Sequence, residues 1–345
     1  MSRAEAMPRV VLATRRVLVV LATGTGLALA QSAPATAREA GREQAAATRI
    51  ELLRELPWQP DELPRPGGRW GERLTLMAFS GDGRWLAVRG DVFVEVATGT
   101  ARAIPEHTTL LGPAAGDGFL LRDHDLVRAS ASGRRDPIAY ATPDEVEADG
   151  SPSGACVLFH GRRYVPNVGD GLLVELDPPR EHRLPIVHRI VTAIAWSPDE
   201  RRCALALAFD ERTAEQIVVF ARDGSLVQRL RPDSEQPVTA LAFDLDGESI
   251  VWSGRRLHRA SATTGRRLAW GQPRQVWLAP ISAHALLGHD GRVLTLFTHG
   301  LTALRHIDLD VADGDDVANA AALSPQRDLL AIATPQALRL YRITP

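Results

Sequence analysis

The sequence predicts an all-β protein, a seven-bladed β-propeller of four-stranded antiparallel blades. Three observations support this prediction: a short apolar segment recurs, its copies are spaced at multiples of about 40 residues, and strand–turn–strand patterns lie between the copies. The chain has 345 residues, of which 45% are apolar and 24% are charged. It is therefore long enough to bury the core of such a ring.

The recurring segment has three clear copies and a weaker one. The clear copies are Leu-Thr-Leu-Met-Ala-Phe-Ser at 74–80, Val-Thr-Ala-Ile-Ala-Trp-Ser at 191–197 and Val-Thr-Ala-Leu-Ala-Phe-Asp at 238–244, and the weaker copy is at 318–324. Each copy ends at a turn that leads into a second apolar run. Two such runs joined by an Asp-Gly type of turn predict a β-hairpin.

The spacing of these segments gives the number of blades. Their anchors, Phe79, Trp196, Phe243 and Leu323, are separated by 117, 47 and 80 residues, which is close to three, one and two units of about 40. The intervals therefore predict three further blades. Apolar runs suited to these degenerate blades lie at 108–128, 156–176 and 275–297.

The last blade is predicted to take one strand from the other end of the chain. Its own strands, within 318–343, number three, and residues 49–57 provide the fourth. Such pairing closes the ring through the N-terminal strand and removes open sheet edges. Leu52, Leu53 and Leu56 also fit helical spacing, so a short helix before the ring is the alternative.

The turn residues carry a family resemblance. Ala-Phe-Ser-Gly-Asp-Gly at 78–83 and Ala-Trp-Ser-Pro-Asp-Glu at 195–200 resemble the turn between the first two strands of WD40-like β-propellers and of TolB-type bacterial propellers. The resemblance covers about residues 50–345. The chain departs from the WD40 pattern because it has no Trp-Asp dipeptide, and its one Gly-His pair, Gly288-His289, lies at a predicted hairpin turn.

The first residues have the pattern of an export signal. Four arginines precede a 14-residue apolar run at 17–30, and a membrane-spanning helix needs about 20 residues. We predict a signal peptide at 1–30, with cleavage as late as residue 37, a linker at 31–49 and a propeller at 50–345. An uncleaved anchor is the alternative. The pair Arg15-Arg16 also resembles a twin-arginine signal, so the export route stays open.

Composition constrains the partners. All 40 basic residues are Arg, against 42 acids, and cleavage after Ala30 would leave 36 Arg against 41 acids, a net charge of −5. This balance disfavours a general nucleic-acid or anionic-membrane binder. We expect a monomer in the periplasm or outside the cell, with no nucleic acid bound and no stable membrane insertion after cleavage.

Arginine pairs provide the candidate partner-binding site. Two of them, Arg162-Arg163 and Arg255-Arg256, fall in loops that join second to third strands, and these loops share one face of a propeller. Guanidinium forks recognise carboxylates or phosphates on a partner. The alternative is ordinary surface charge.

No metal, cofactor or catalytic site is predicted. None of the ten histidines forms a pair at metal-ligand spacing, so we interpret them as surface or turn residues. The acidic run at 308–316 lacks the pattern of an EF-hand and is interpreted as a solvated loop. Cys156 and Cys203 begin second strands of adjacent blades, about 10 Å apart, and this distance favours two buried free thiols over a disulfide.

The innermost strands argue against an enzyme. Their matched positions, which would face the central channel, carry no ring of His, Asp or Glu; these positions are Thr75, Thr192, Thr239, Ala78, Ala195 and Ala242. A Gly-x-Ser-x-Gly motif is also absent. The sequence therefore favours a non-catalytic scaffold for protein–protein contact in the cell envelope, with an unidentified protein partner.

Two alternatives stay open. One is a propeller hydrolase or lactonase that acts on a small molecule through residues in the loops. The other, implied by the resemblance to TolB-type propellers, binds envelope glycan or peptidoglycan-associated proteins. Glycan binding requires exposed aromatic rings, and the candidates are Trp58, Trp70, Trp270 and Trp277.

Overall fold

The computed structural model describes residues 35–57, 77–88, 92–104, 108–122, 125–140, 146–161, 171–186, 190–208, 214–232, 237–311, 320–334 and 337–344. These residues form one α-helix and seven four-stranded sheets in which neighbouring strands are antiparallel. The predicted seven-bladed β-propeller is confirmed. Helix α1 (Ala35–Ala47) and strand β1 (Arg49–Pro57) precede the strands of the first blade.

The first three blades follow one another along the chain. Blade 1 consists of β2 (Met77–Phe79), β3 (Trp85–Val88), β4 (Val92–Glu95) and β5 (Ala101–Ala103). Blade 2 consists of β6 (Thr109–Pro113), β7 (Gly118–Arg122), β8 (Leu126–Ser130) and β9 (Arg135–Pro137). Blade 3 consists of β10 (Val146–Gly150), β11 (Cys156–Gly161), β12 (Gly171–Leu176) and β13 (Pro179–Leu184).

Blades 4 to 7 continue in the same order. Blade 4 consists of β14 (Ile190–Trp196), β15 (Arg202–Ala208), β16 (Ala214–Ala221) and β17 (Leu226–Leu230). Blade 5 consists of β18 (Ala240–Phe243), β19 (Ser249–Ser253), β20 (Arg256–Ser261) and β21 (Arg267–Pro273). Blade 6 consists of β22 (Trp277–Pro280), β23 (Ala285–His289), β24 (Val293–Thr298) and β25 (Ala303–Asp308). Blade 7 consists of β26 (Ala320–Leu323), β27 (Leu329–Ala333), β28 (Ala337–Thr344) and β1.

Burial changes from strand to strand within a blade. The innermost strand β14 alternates between half-buried and buried residues, the period expected when one face borders a channel. The second strand, β15, is buried from Cys203 to Ala208, since neighbouring blades cover both of its faces. The outer strands β5 and β9 are exposed throughout. The core therefore lies between the inner strands of adjacent blades.

The recurring turn is held by a buried serine. The Ser197 hydroxyl donates to Asp199 Oδ1 at 2.6 Å and accepts the backbone N–H of Arg202 at 2.9 Å. Ser80 and Ser324 accept the equivalent backbone N–H groups in blades 1 and 7. The serine thus satisfies a buried backbone donor, which explains why it recurs at this position.

Residues 49–57 form a strand and not a helix. Strand β1 pairs with β28 from Arg49 opposite Thr344 to Pro57 opposite Ala337, and the sheet order is β1-β28-β27-β26. A bulge interrupts the register after Leu52, and Leu52 is 54% exposed there. An N-terminal segment therefore occupies the outermost position of blade 7.

Helix α1 lies within the predicted linker and packs on the ring. Ala45 is fully buried in a cluster with Ile281 and Leu309, and a Cβ added at Gly41 would lie 3.1 Å from His284 Nδ1. Residues four apart share one helix face, so these two small residues let the helix backbone approach blade 6 closely. In the portion of the chain that the structure describes, no helix combines the length and apolarity needed to span a membrane.

The predicted export signal lies outside the described residues. Residues 1–34 contain the apolar run and the cleavage position after Ala30, and the structure describes neither. The boundaries at 30, 37 and 49 therefore stay predictions.

We expect Ala45→Asp to detach helix α1 while the ring stays folded, because the substitution buries a carboxylate in an apolar contact. The expected loss of stability is about 1–3 kcal/mol. Limited proteolysis should then cut the variant within residues 35–47 faster than the unmodified chain. Ala46→Asp is the matched control, because Ala46 is exposed on the same helix. Equal cutting of both variants would contradict the packing role of Ala45.

Candidate functional site

The structure describes two of the four predicted partner-binding arginines. Arg162 and Arg163 lie outside the described residues. Arg255 and Arg256 are exposed at the turn between β19 and β20, the turn type in which they were predicted. Their role in binding stays a prediction.

Arg256, at the start of β20, lies against the exposed ring of Trp270 on the next strand, β21. The guanidinium carbon of Arg256 is 5.5 Å from the centroid of the Trp270 ring, within cation–π distance. Trp270 is 59% exposed. Trp and Arg are enriched at the energetic centres of protein interfaces.

The backbone of β21 departs from a regular strand on both sides of Trp270. Leu257 pairs with Gly271 and Arg256 pairs with Pro273, so Gln272 is bulged. The φ angles of Gly271 and Gln272 are 153° and 48°, in a region where non-glycine residues are strained. Bulges re-aim side chains and interrupt the free edge of a sheet. The outer edge of blade 5 therefore presents side chains and not an open backbone ladder.

Trp270 is supported from the core. It lies opposite His258 on β20, which lies opposite Trp252 on β19. The Trp252 and His258 rings stack with centroids 5.2 Å apart, and both residues are buried. We name Arg256, Trp270 and the bulge at Gly271–Gln272 the blade-5 platform. It is a rigid surface, because the row behind it is packed into the blade.

The central channel is the second candidate. It encloses about 300 Å³ and is lined by the innermost strands, with Thr192, Thr239, Trp196, Trp277 and Asp149 among its walls. The predicted channel positions Thr192 and Thr239 are thus confirmed. Ala78, Ala195 and Ala242 are buried, and Thr75 lies outside the described residues.

Arg274 connects the platform strand with the channel wall. It follows β21, and its Nε donates to the hydroxyl of Thr239 at 3.4 Å. Burial lowers the pKa of the Arg274 guanidinium. The Thr239 hydroxyl in turn donates to the Gln275 carbonyl at 2.8 Å, so this part of the rim is bonded internally.

Sequence reasoning missed Asp149, an acid on the channel wall. It lies on β10, the degenerate innermost strand of blade 3, and its Oδ2 is 3.2 Å from His160 Nε2. Both side chains are more than nine-tenths buried. Ser151, whose hydroxyl accepts the Cys156 N–H at 3.1 Å, repeats the serine turn and could have located this strand. The Asp149 and His160 side chains therefore lie within hydrogen-bond distance of each other.

The interpretation of the histidines as surface or turn residues is wrong for three of them. His160, His258 and His289 are 2%, 5% and 0% exposed, because each lies on the second or third strand of a blade, where neighbouring blades cover both faces. His188 lies outside the described residues. In the ranges that the structure covers, no three side chains of His, Cys, Asp and Glu are grouped for a metal ion.

The acidic run falls mostly outside the described residues, with Asp313, Asp315 and Asp316 in the undescribed range. Asp308 and Asp310 are exposed, and Asp310 Oδ2 lies 3.7 Å from a guanidinium nitrogen of Arg339. The exposure of these two acids agrees with the prediction that the acidic run at 308–316 is solvated.

His289 is the most deeply buried of the histidines. It ends β23 opposite Trp277, and the two rings stack with centroids 5.9 Å apart. Neither ring nitrogen has a hydrogen-bond partner among the described residues. Burial lowers its pKa to about 4, with a small opposing contribution from Asp290. The ring is therefore neutral near pH 7.

The two cysteines are free and buried, as the sequence favoured. Cys156 and Cys203 lie in one apolar cluster between blades 3 and 4. Burial raises the pKa of Cys156 to about 11 and that of Cys203 to about 12. Thiols at these values are almost wholly protonated near pH 7 and are poor nucleophiles.

Blade 5 replaces the turn serine with a buried acid. Asp244, which is 1% exposed, accepts a hydrogen bond from Ser249 and lies 2.5 Å from the Arg259 guanidinium. Arg259 also donates to the His299 carbonyl of blade 6 at 3.1 Å. Burial lowers the pKa of His299, whose Nε2 is 3.7 Å from Asp244 Oδ1. This cluster therefore connects blades 5 and 6.

The fold of the chain has counterparts among solved structures. No family model and no curated protein matches it. Among solved structures, it is similar to a chain of the mitotic checkpoint complex, with a TM-score of 0.65, 16% identity and coverage of 85% of this chain and 96% of that chain. It is also similar to the β-propeller domain of Cps50 (Swd1) from Myceliophteria thermophila, with a TM-score of 0.58, 12% identity and coverage of 86% and 100%.

The likeness establishes the fold. These neighbours are WD40 β-propeller domains, so the architecture is the one that the turn residues suggested. At 12–16% identity the likeness concerns architecture alone.

Proposed function

We propose that this β-propeller is a non-catalytic scaffold that binds a protein partner in the cell envelope. The observation that carries the proposal is the blade-5 platform, where Trp270 is 59% exposed and Arg256 stacks on it. Trp and Arg supply much of the binding energy at protein interfaces. A rigid ring that holds such a pair on its outer side is suited to recognition.

The chemistry of the channel supports binding over catalysis. Asp149, the acid on its wall, is paired with His160, and both are buried. The channel hydroxyl of Thr239 is bonded to the backbone. A hydrolase needs an activated nucleophile or water beside such groups, with a base in hydrogen-bond reach. The described channel residues assemble no such arrangement.

The proposed localisation rests on the N-terminal sequence. The basic residues, the 14-residue apolar run and the small residues before position 30 support export to the periplasm or beyond. The net charge of −5 after cleavage supports a partner other than nucleic acid or anionic membrane. In this proposal the cleaved chain is a monomer that does not insert stably into the membrane.

The test is affinity capture from an envelope extract, with residues 31–345 as bait. We expect the unmodified chain to retain a protein partner reproducibly and Trp270→Ala to lose it, because truncating an interface tryptophan removes a central contact. Trp270 is exposed, so its loss should leave the melting temperature unchanged. Failure to retain any reproducible protein, together with turnover of a lactone or ester panel, would overturn the scaffold function.

A further inference from the structure

The arginine of the blade-5 platform lies against a tryptophan ring. Two other exposed arginines lie close to acids two residues away: Arg134 Nε is 2.9 Å from Asp136 and Arg201 Nε is 3.8 Å from Asp199. Arg256 is exposed, and among the described residues no carboxylate forms an ion pair with it. Its guanidinium lies over the Trp270 ring. The guanidinium is therefore oriented by a ring and keeps its fork of N–H donors for an external acceptor.

The tryptophan beside it is held in place by the fold. Trp270 lies on a row that continues through His258 to Trp252 in the core, and a bulge fixes the backbone after it. Its exposed ring face suits a flat partner, such as a proline or an aromatic ring. Because the ring and the guanidinium are pre-positioned, little conformational entropy is lost on binding.

The bulges exclude one mode of recognition. A partner strand that extends the sheet needs a regular row of backbone groups on β21. The register is broken at Leu268 and again at Gln272, on either side of Trp270. The partner is therefore recognised through side chains at this surface.

We propose that the blade-5 platform binds an acidic segment of a protein partner. An Asp or Glu carboxylate of that segment forms a two-bond pair with the Arg256 fork, and a neighbouring proline or aromatic ring packs on Trp270. The inference rests on the proposed scaffold function and adds the chemistry of the partner. The carboxylate is opposite in charge to the Arg256 guanidinium, and its two oxygens fit the planar arrangement of the N–H donors.

The test is selection from a display library of random peptides on immobilised residues 31–345. We expect enriched peptides to combine an Asp or Glu with a nearby proline or aromatic residue. Their binding should weaken about tenfold or more for Arg256→Gln and for Trp270→Ala. Arg256→Lys should restore only part of the binding, because an ammonium keeps the charge but loses the fork. Raised salt should weaken binding further.

The chain offers a matched control in blade 1. Arg102 lies 5.1 Å from the Trp85 ring centroid, but its guanidinium donates to the Ala131 carbonyl at 3.3 Å. Arg102→Gln should therefore leave peptide binding unchanged. An equal loss for Arg102→Gln and Arg256→Gln would overturn the assignment of the carboxylate to Arg256.

Other occupants give distinct results. Enrichment of basic or uncharged peptides, or of peptides that bind Trp270→Ala equally well, would overturn the proposal. Retention of polygalacturonate with no enriched peptide would indicate a glycan and would also overturn the proposal. A dimer that Trp270→Ala converts to monomers would overturn it as well. In each case, capture of an envelope protein through another surface would still support the scaffold function. Failure of the two proposals can therefore be distinguished.

Discussion

Arg259→Met is expected to lower the free energy of unfolding by about 3–5 kcal/mol, because it leaves the Asp244 carboxylate buried without its cation. Asp244 is 1% exposed, and Arg259 pairs with it at 2.5 Å. The same substitution also removes the hydrogen bond from Arg259 to the His299 carbonyl, which connects blades 5 and 6. Urea denaturation of the purified chain measures the effect.

The repeat itself supplies the control. Blades 1, 4 and 7 carry serine where blade 5 carries Asp244, and each of those serines accepts a backbone N–H. We expect Asp244→Ser combined with Arg259→Met to lose only about 1 kcal/mol, because a serine at position 244 needs no cation. If the double variant is as unstable as Arg259→Met alone, the unpaired charge of Asp244 does not cause the loss of stability.

The second large effect is a loss of stability in acid through His289. The pKa is about 4 in the folded chain and 6.5 when unperturbed. Between these values the unfolded chain binds a proton that the folded chain does not bind, so the free energy of unfolding falls as the pH drops from 6.5 towards 4. A difference of this size corresponds to about 3 kcal/mol. Urea denaturation at several pH values across this range measures it.

His289→Phe should remove this part of the acid sensitivity. Phenylalanine keeps a ring against Trp277 and removes two buried nitrogens without hydrogen-bond partners in the described structure. We expect the variant to be at least as stable as the unmodified chain near pH 7. His306→Gln is the control, since His306 is exposed and its loss should leave the slope unchanged. An unchanged acid slope in His289→Phe would assign the effect to other titrating groups, among them His299, whose pKa is also lowered by burial.

Local patterns were sufficient to predict the blades. The serine at the hairpin turn, as at Ser197, bonds to residues within five positions, so its role is encoded in a short stretch of chain. The count of seven followed from the spacing of four such segments. Blade 3 was located by its second and third strands, while its innermost strand, β10, was missed because its apolar pattern is interrupted by Glu147 and Asp149.

The candidate site was predicted only in part. Arg255 and Arg256 were placed at the correct turn, and Trp270 was noted as a potential exposed ring. The contact between Arg256 and Trp270 depends on the register of β20 and β21, which a bulge shifts by one residue at Gln272. Turn chemistry does not determine that shift, because it reflects packing along the whole hairpin.

The repeat, its turns and the number of blades were predictable from the amino-acid sequence, because these depend on hydrogen bonds and apolar patterns within about 40 residues. Tertiary structure decided which polar residues became buried and which large rings stayed exposed. His289 and Asp244 are covered by neighbouring strands and blades, whereas Trp270 lies on an outermost strand that no other described strand covers. Burial is a property of the assembled blades, so residue type could not predict it.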